Sequence, residues 1–387
     1  MKLTGVEEGR SALGRSLLEH QDLSADWVPS FVAVPRAAFL PDLMWPHDME
    51  TGDAVAVDRR QEPALWQGYA DADVPIVTQW DDGVGDGPGV VPTSSASMPS
   101  IVFRMLRDLR VEAGHRVLEI GTGTGWNAAL LAHRLGSENM VSIEIDPQVA
   151  EVARQRLAAF GALGHVLTRD GTEGDASGAP YDRVIVTAGV RRIPPAWLEQ
   201  TSSDGLIVVP WGTHLSNEDA ILRLKVDHGG ASGRFTSPCE FMKVRSQRLA
   251  FDGHRSYVPG GVADADRATA AVSEEQLLGK GHFDARTFAI GLRVRDCYRI
   301  VAPARDGTRP VWFYGLTDRS WSCVMLRSDA EAVVYQAGPR RLWDEVSDAL
   351  RWWKAAGAPG HDRFGLTVTA TGEHLAWLDS PDESWPV

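Results

Sequence analysis

Hydrophobic positions change their rhythm twice along this chain. Up to about residue 80 they come in short, proline-marked clusters, which predict a helix near Ser11 to Glu19 and another through Trp27 to Ala33 that stops at Val34-Pro35-Arg36. A stretch rich in glycine and aspartate, Asp81 to Gly89, can hold no core and is expected to be a mobile loop. It leads into the polar segment Pro92-Thr93-Ser94-Ser95-Ala96-Ser97-Met98-Pro99. From Ser100 the pattern becomes regular. Helices are predicted from Ser100 through Leu109, from Trp126 to Arg134 and from Pro147 through Ala159, the last with Val149, Val152, Ala153, Arg156 and Leu157 recurring on one face. Strands are predicted at 116–120, 140–145, 165–169, 183–186 and 206–209, and this alternation argues for a mostly parallel sheet with helices on both faces.

Beyond about Ala250 the rhythm shifts again. A connector at Tyr257 to Arg267 precedes strand-like pieces at Thr287 to Val294, Val311 to Tyr314 and Leu366 to Thr369, with one helix from Pro339 to Ala356. Seven of the fourteen tryptophans lie in this tract, which reads either as a small α+β domain packed on aromatic residues or as an exposed aromatic surface that holds a peptide. The expected division is an N-terminal cap and substrate loop over 1–99, a core over 100–250 and an accessory domain over 251–387.

Composition narrows the function classes. With 387 residues, 43% hydrophobic and 24% charged, the chain can bury a sizeable core, and no apolar run is long enough to span a bilayer. The first eight residues lack the apolar centre of a secretory signal, so the cytoplasm is the expected compartment. A formal charge of −13 with no basic run disfavours nucleic acid. Cys239, Cys297 and Cys323 are isolated, and no His-Glu-x-x-His or Cys-x-x-Cys spacing suggests a metal.

The strongest local signal is Val117-Leu118-Glu119-Ile120-Gly121-Thr122-Gly123-Thr124-Gly125-Trp126, a strand running through a glycine turn into a helix. Glycines allow close backbone approach to a ligand, and the helix N-terminus presents free amides. A dinucleotide enzyme could use the same turn, since Gly123 to Ala128 satisfies that fingerprint and Glu144 follows about twenty residues later. Three acids favour S-adenosylmethionine instead. Glu119 can orient the turn or favour a sulfonium, Glu144 can accept from ribose hydroxyls with Ile145 beside it, and Asp170-Gly171 can accept from an adenine amine. The expected fold is α/β: a Rossmann-like S-adenosylmethionine-dependent methyltransferase with a doubly wound sheet, an N-terminal cap and a smaller C-terminal α+β domain. Gly121, Thr122, Gly123, Gly125, Glu119, Glu144, Ile145, Asp170 and Gly171 are the expected cofactor residues, with S-adenosylhomocysteine as product.

Over about Trp27 to Arg248 the chain resembles the protein L-isoaspartate O-methyltransferases. The likeness rests on Val34-Pro35-Arg36-Ala37-Ala38-Phe39, Ser97-Met98-Pro99, the glycine turn, Asp170-Gly171, and Ile185-Val186-Thr187-Ala188 before Ile193-Pro194. It implies that Ser97 lies beside the substrate carboxylate, with Ser94 and Thr187 as further orienting hydroxyls and Ser95, Met98, Pro99 and Val190 as substrate contacts. Met98 stands where the family has glutamine, Ser95-Ala96 replaces Thr-Ile, and Thr187-Ala188-Gly189-Val190 replaces Thr-Ala-Ala-Pro. Read without the likeness, Ser97 is a cap for the following helix. The tail, with Arg363 to Thr369 and Trp377-Leu378-Asp379, resembles actinobacterial relatives that act on ribosomally made precursor peptides. Those work beside an ATP-grasp ligase, a lanthipeptide synthetase or a lasso-peptide system. The resemblance then implies esterification of an aspartate in such a peptide (a graspetide first) and collapse of the ester to an aspartimide. Family members that repair isoaspartate are expected to end soon after a segment like Phe241 to Arg245. Repair of isoaspartate, a small-molecule methyltransferase and a binding module remain the alternatives. A carboxylate is already ionised near neutral pH, so no catalytic base is needed.

Overall fold

The computed structural model describes residues 5–49, 51–85, 87–162, 164–227, 230–281 and 283–387. The first four residues, part of the supposed signal-free start, and Asp86 of the expected loop lie outside the described residues. By contacts the chain falls into two compact units. The first comprises Met1–Ala188, Pro194–Val209 and Arg223–Ala231, and the second Gly189–Ile193, Pro210–Leu222 and Ser232–Val387.

The first unit opens with helices α1 (Gly5–Glu19) and α2 (Val28–Ala33), where the apolar clusters put them. The segment after α2 is more regular than its sequence suggests. Strands β1 (Leu43–Pro46), β2 (Val57–Asp58), β3 (Ile76–Trp80) and β4 (Pro92–Ala96), with helix α3 (Pro63–Ala70), form an antiparallel sheet in the order β2-β1-β3-β4. Met44, Val57, Trp66, Ile76 and Ala96 build a core of their own beneath it. The supposedly irregular cap is thus a small layer with a hydrophobic centre, and the polar segment at Pro92 is its edge strand. The loop expected to be mobile is tied at its base: the Asp81 carboxylate accepts from the amides of Val90 (2.9 Å) and Val91 (2.7 Å).

Helix α4 (Pro99–Leu109) leads into the parallel sheet, made of β5 (Val117–Ile120), β6 (Met140–Glu144), β7 (His165–Thr168), β8 (Tyr181–Val186) and β9 (Thr201–Trp211). Helices α5 (Trp126–Leu135), α6 (Pro147–Ala159) and α7 (Pro195–Glu199) alternate with these strands. Their order is β7-β6-β5-β8-β9, all neighbours parallel. The chain builds outward from β5 to β7, then returns to place β8 on the other side of β5. This reversal opens a crevice at the carboxyl end of β5, where open α/β sheets take their ligands. Strands of this kind are buried on both sides, and Val117, Leu118, Val184, Ile185 and Val186 are all enclosed.

Strands β10 (Asp219–Asp227) and β11 (Gly230–Cys239) carry residues of both units. The second unit continues with helices α8 (His254–Tyr257), α9 (Glu274–Leu278), α10 (Ala285–Arg293) and α11 (Leu342–Ala355), and strands β12 (Asp266–Ala270), β13 (Cys297–Val301), β14 (Thr308–Gly315), β15 (Trp321–Arg327) and β16 (Ala332–Ala337). These five strands form an antiparallel sheet, β12-β16-β15-β14-β13, against which α11 packs. A further antiparallel set, β17 (Phe364–Val368), β18 (His374–Leu378) and β19 (Ser384–Pro386), ends the chain. The strand expected at Thr287 to Val294 is helix α10. Phe288, Ile290 and Leu292 alternate as a strand would, but Thr287 to Leu292 are all buried, and Asp284 caps the first turn by accepting from the Arg286 amide at 2.9 Å. None of the seven C-terminal tryptophans is exposed, so the aromatic residues are packing material, as the cluster of Tyr257, Tyr314 and Trp321 with Phe251, Tyr298 and Trp312 shows. All three cysteines are free and buried. No helix among the described residues is long and apolar enough to cross a membrane.

Candidate active site

The glycine turn follows β5 directly, and three of its glycines hold backbone angles that side chains rarely adopt: φ is +95° at Gly121, +52° at Gly123 and +91° at Gly125. Space matters as much as angle. A Cβ on Gly121 would lie 2.6 Å from Thr187 Oγ1, and one on Gly171 would lie 2.5 Å from the Ile120 side chain. The turn is therefore drawn tight against the ends of β5, β7 and β8.

Beneath it lies a buried polar network. Glu119 is fully enclosed; Asn127 Nδ2 donates to its Oε1 at 2.7 Å, Ser142 Oγ donates to its Oε2, and Thr122 meets Ser142 hydroxyl to hydroxyl at 2.5 Å. Burial pushes the Glu119 carboxyl up to about 7; the two donors oppose this and the charge of Glu144 adds to it. When Glu119 is ionised, Ser142 gives its one proton to the acid and Thr122 donates to Ser142, which ties the turn to the acid. Of the two roles the sequence leaves to Glu119, the geometry carries the first, orienting the turn.

Glu144 closes β6. Its Oε2 accepts from Gly123 N at 2.9 Å and its Oε1 from Asp146 N at 3.1 Å; with the Ile145 amide as a third donor, the carboxylate keeps acceptor capacity for about one more. Burial raises its pKa, and the nearby Asp146 charge adds to this against amide bonds from Asp146, Gly123 and Ile145. Asp170, after β7, accepts twice on Oδ1, from Thr172 N at 2.9 Å and Thr172 Oγ1 at 2.8 Å. Two strand-end carboxylates with acceptor capacity and a turn of three glycines at positive φ, the first packed tight on Thr187, suit a nucleoside with a vicinal diol, so the residues present fit S-adenosylmethionine.

The expected substrate residues separate into two groups. Strand β4 lies over the turn: Ser95 O is 3.4 Å from where a Gly123 side chain would begin. Ser94 Oγ accepts from Thr78 at 3.3 Å, and Ser94, Ser95, Ser97 and Met98 are all half-buried, with Pro99 enclosed as the first residue of α4. Ser97 is not the cap of that helix. Met98 occupies the N-cap position without a side-chain bond, and Asp73 Oδ1 takes the Ser100 amide at 2.8 Å. Thr187 and Val190 behave differently. Thr187 Oγ1 has one proton and donates it to Gly121 O, so this hydroxyl braces the turn and has none left for a carboxylate. Val190 is fully buried, its N–H on Pro210 O at 2.9 Å and its carbonyl accepting from Gly212 N, so it is a packing residue of the second unit rather than a contact.

The unusual glycine beside Val190 has a structural cause in that unit. A Cβ on Gly189 would lie 2.9 Å from both Asp219 Oδ2 and Lys243 Nζ, which form a buried ion pair of 2.6 Å. Burial pushes Asp219 up to about 6 against the pull of Lys243. Close by in the chain, Gln247 clasps the amides of Arg191 and Arg192, and the His374 ring accepts from Ile193 N at 2.8 Å.

Sequence reasoning passes over several residues that shape the site: Asn127 and Ser142 in the network, Gln79, which links Thr93 to Asp146 at 2.9 and 3.2 Å, and Arg36 with Asp73. Only Arg36 left a trace, as part of Val34-Pro35-Arg36; the others are ordinary polar residues whose partners are distant in sequence.

A crevice at the sheet's reversal point, with a tight glycine turn and acids ending the next two strands, is the arrangement of the S-adenosylmethionine-dependent methyltransferases. Comparison with known proteins narrows the class. Residues 62–248 match the sequence profile of protein-L-isoaspartate(D-aspartate) O-methyltransferase. The protein-L-isoaspartate O-methyltransferase of Pyrococcus horikoshii is 35% identical over 158 residues, 38% of this chain and 71% of that protein. That of Ignicoccus hospitalis is 43% identical over 116 residues, 30% of this chain and 55% of that protein. The chain belongs to the protein-L-isoaspartate O-methyltransferase family, whose members are S-adenosylmethionine-dependent carboxyl O-methyltransferases.

A solved structure bearing the same name shares the fold, with a TM-score of 0.54 at 20% identity over 96% of this chain and 100% of that one. The likeness therefore extends past the segment at Phe241 to Arg245.

Proposed function

We propose that this protein methylates the free carboxylate of an isoaspartyl residue in a polypeptide. The observation that carries the reading is the placement of β4 across the glycine turn, which brings Ser95 against Gly123 and ends just before half-buried Ser97. S-adenosylmethionine supplies an electrophilic methyl group. Ser97 Oγ donates to one carboxylate oxygen and turns the other toward the cofactor side, and Ser94 adds a second donor. The carboxylate is ionised at neutral pH, so these residues orient and do not move protons. Glu144 and Asp170 would hold the cofactor by accepting from its hydroxyls and amine, and Glu119 holds the turn that would receive it.

A second reading, an L-aspartate in a ribosomally made precursor peptide that then closes to an aspartimide, is favoured by one observation. The substrate strand and its continuation read Ser94-Ser95-Ala96-Ser97-Met98, with an apolar, half-buried Met98 where the family has an amide. The change at Gly189 lends it no support, since the Asp219–Lys243 pair accounts for that residue. Mass spectrometry after incubation with S-adenosylmethionine separates the two, using an isoaspartyl peptide, its L-aspartyl twin and the precursor peptide encoded nearest the gene. Gain of a methyl group on the isoaspartyl peptide alone is the expected result. Gain of a methyl group and then net loss of water on the precursor alone would replace the first reading with the second, and no transfer to any of the three would reject both.

A further inference from the structure

A serine next to a helix could be held locally, by capping that helix. Ser97 is held from far along the chain instead. Arg36, almost wholly buried, directs its guanidinium at four carbonyls: Nη1 donates to Ala72 O at 3.2 Å, and the two protons of Nη2 are shared among Val74 O at 2.9 Å, Ala96 O at 3.0 Å and Ser97 O at 3.0 Å. The carbonyl of Ser97 is thus tied to the same cation that grips the turn at Ala72 to Val74. On the other side of Ser97, Asp73 from that turn holds the Ser100 amide.

The same cation also reaches the cofactor side of the first unit. Its carbon lies 5.8 Å from the ring centre of Trp126, the first residue of α5 and the residue directly after Gly125. Trp126 Nε1 in turn donates to Val34 O at 3.1 Å, two residues before Arg36. Burying a cation among neutral carbonyls is costly, and Asp71 and Asp73 offset the cost only through space. What the arrangement achieves is geometric: one rigid planar fork spans β4, the 72–74 turn and the start of α5. Three of the four carbonyls share Nη2 and Ala72 takes Nη1; a lysine nitrogen ends one bond nearer the backbone and has no second arm, so it cannot hold both ends of this set.

We infer that Arg36 is a positioning residue that keeps Ser97 in register with the glycine turn, with Asp73 fixing the far end of the same segment. This rests on the reading that Ser97 orients the substrate carboxylate. Arg36 itself touches neither substrate nor cofactor; it acts through Ser97.

A double-mutant cycle between Arg36→Lys and Ser97→Ala on the full chain tests this, with methyl transfer to the peptide accepted by the wild type as readout. R36K alone should lower kcat/KM by about 10- to 100-fold, the scale of a displaced orienting group. S-adenosylhomocysteine affinity should stay within about 2-fold, and in the S97A background R36K should cost less than about 3-fold more, because residues that act through one another are not additive. Equal losses in both backgrounds would mean that Arg36 only supports the fold, and the inference would be wrong. A parallel loss of S-adenosylhomocysteine binding would place its action on the cofactor turn instead and also overturn it. If R36K does not fold, Asp73→Ala takes its place in the cycle with the same expected non-additivity. An S97A protein as active as wild type would sink the role of Ser97 itself, which is a different failure from additivity in the cycle.

Discussion

Replacing Glu119 by glutamine should change the pH dependence of stability in a way that identifies this one group. In the folded chain burial holds the Glu119 proton up to about 7, against an ordinary value of 4.5. Below about pH 4.5 both folded and unfolded chains carry the proton and the group is neutral in the balance. Between about 4.5 and 7 the folded chain still holds a proton that the unfolded chain has released, so stability falls as the pH rises. Above about 7 both are ionised, and the folded state bears the full cost of a buried carboxylate, about 3 kcal/mol. The glutamine amide cannot ionise. The difference in unfolding free energy, E119Q minus wild type, should therefore rise by about 3 kcal/mol between pH 4.5 and 7 and then stay level. Urea unfolding of the cofactor-free protein at half-unit pH steps, followed by tryptophan fluorescence, reads this difference. Titrating groups remote from Glu119 are common to both proteins and cancel, the same pair measured in a Glu144→Gln background removes the one coupled carboxylate, and any constant effect of the lost acceptor on Asn127 or Ser142 shifts the curve without bending it. A flat difference across the whole window would refute the claim that Glu119 holds its proton to neutrality, and with it the account of the network beneath the turn.

Glu144→Gln should weaken S-adenosylhomocysteine by about 10- to 100-fold in a calorimetric titration, the worth of a charge-assisted bond to a ribose hydroxyl, with the melting temperature little changed. Unchanged affinity would remove Glu144 from the cofactor site. In the second unit, Lys243→Met strands the fully buried Asp219 carboxylate, so the protein should lose about 3 kcal/mol or more in a urea melt. The double change with Asp219→Asn should recover at least half of that loss, and equal instability of the two variants would show that packing of the lysine stem, not charge, is what matters.

How far the sequence could be read depends on the range of the interactions involved. The unit from β5 through α6 is built from near neighbours: an apolar strand, glycines that must turn, and Asp146, which accepts from the Gln148 and Val149 amides and caps the helix at Pro147. Such local agreement leaves a visible pattern. The antiparallel layer before it does not, because its strands run two to five residues, and β4 is polar and lies at the sheet edge, so its register comes from β3 rather than from its own composition. Helix α10 misled for the opposite reason. Its run Thr287 to Leu292 is buried without a break, and the alternation of Phe288, Ile290 and Leu292 masks the helical spacing of Arg286 and Arg293, which mark its one polar side. At the site, the acids ending β6 and β7 were legible because strand ends fall at predictable places. Asp73 was not, and Arg36 showed only as part of Val34-Pro35-Arg36 without its role, since their partners lie between 27 and 61 residues away.

The chain passes between its two units after Ala188, Ile193, Val209, Leu222 and Ala231 before it stays in the second. Two of the second unit's pieces, 189–193 and 210–222, therefore lie inside the stretch that matches the family profile. The hundred-odd residues after Ala250 are consequently not a bead that one recombination event could have strung onto a finished enzyme. Were the gene to stop there, the buried Ile193 amide would lose the His374 ring that accepts from it, at about 1–3 kcal/mol for that group alone. A chain without this tract would need different loops after β8 and β9, because residues 189–193 and 210–222 pack with it. Inheritance of the tail should thus be written in those two loops, not only in the length of the protein.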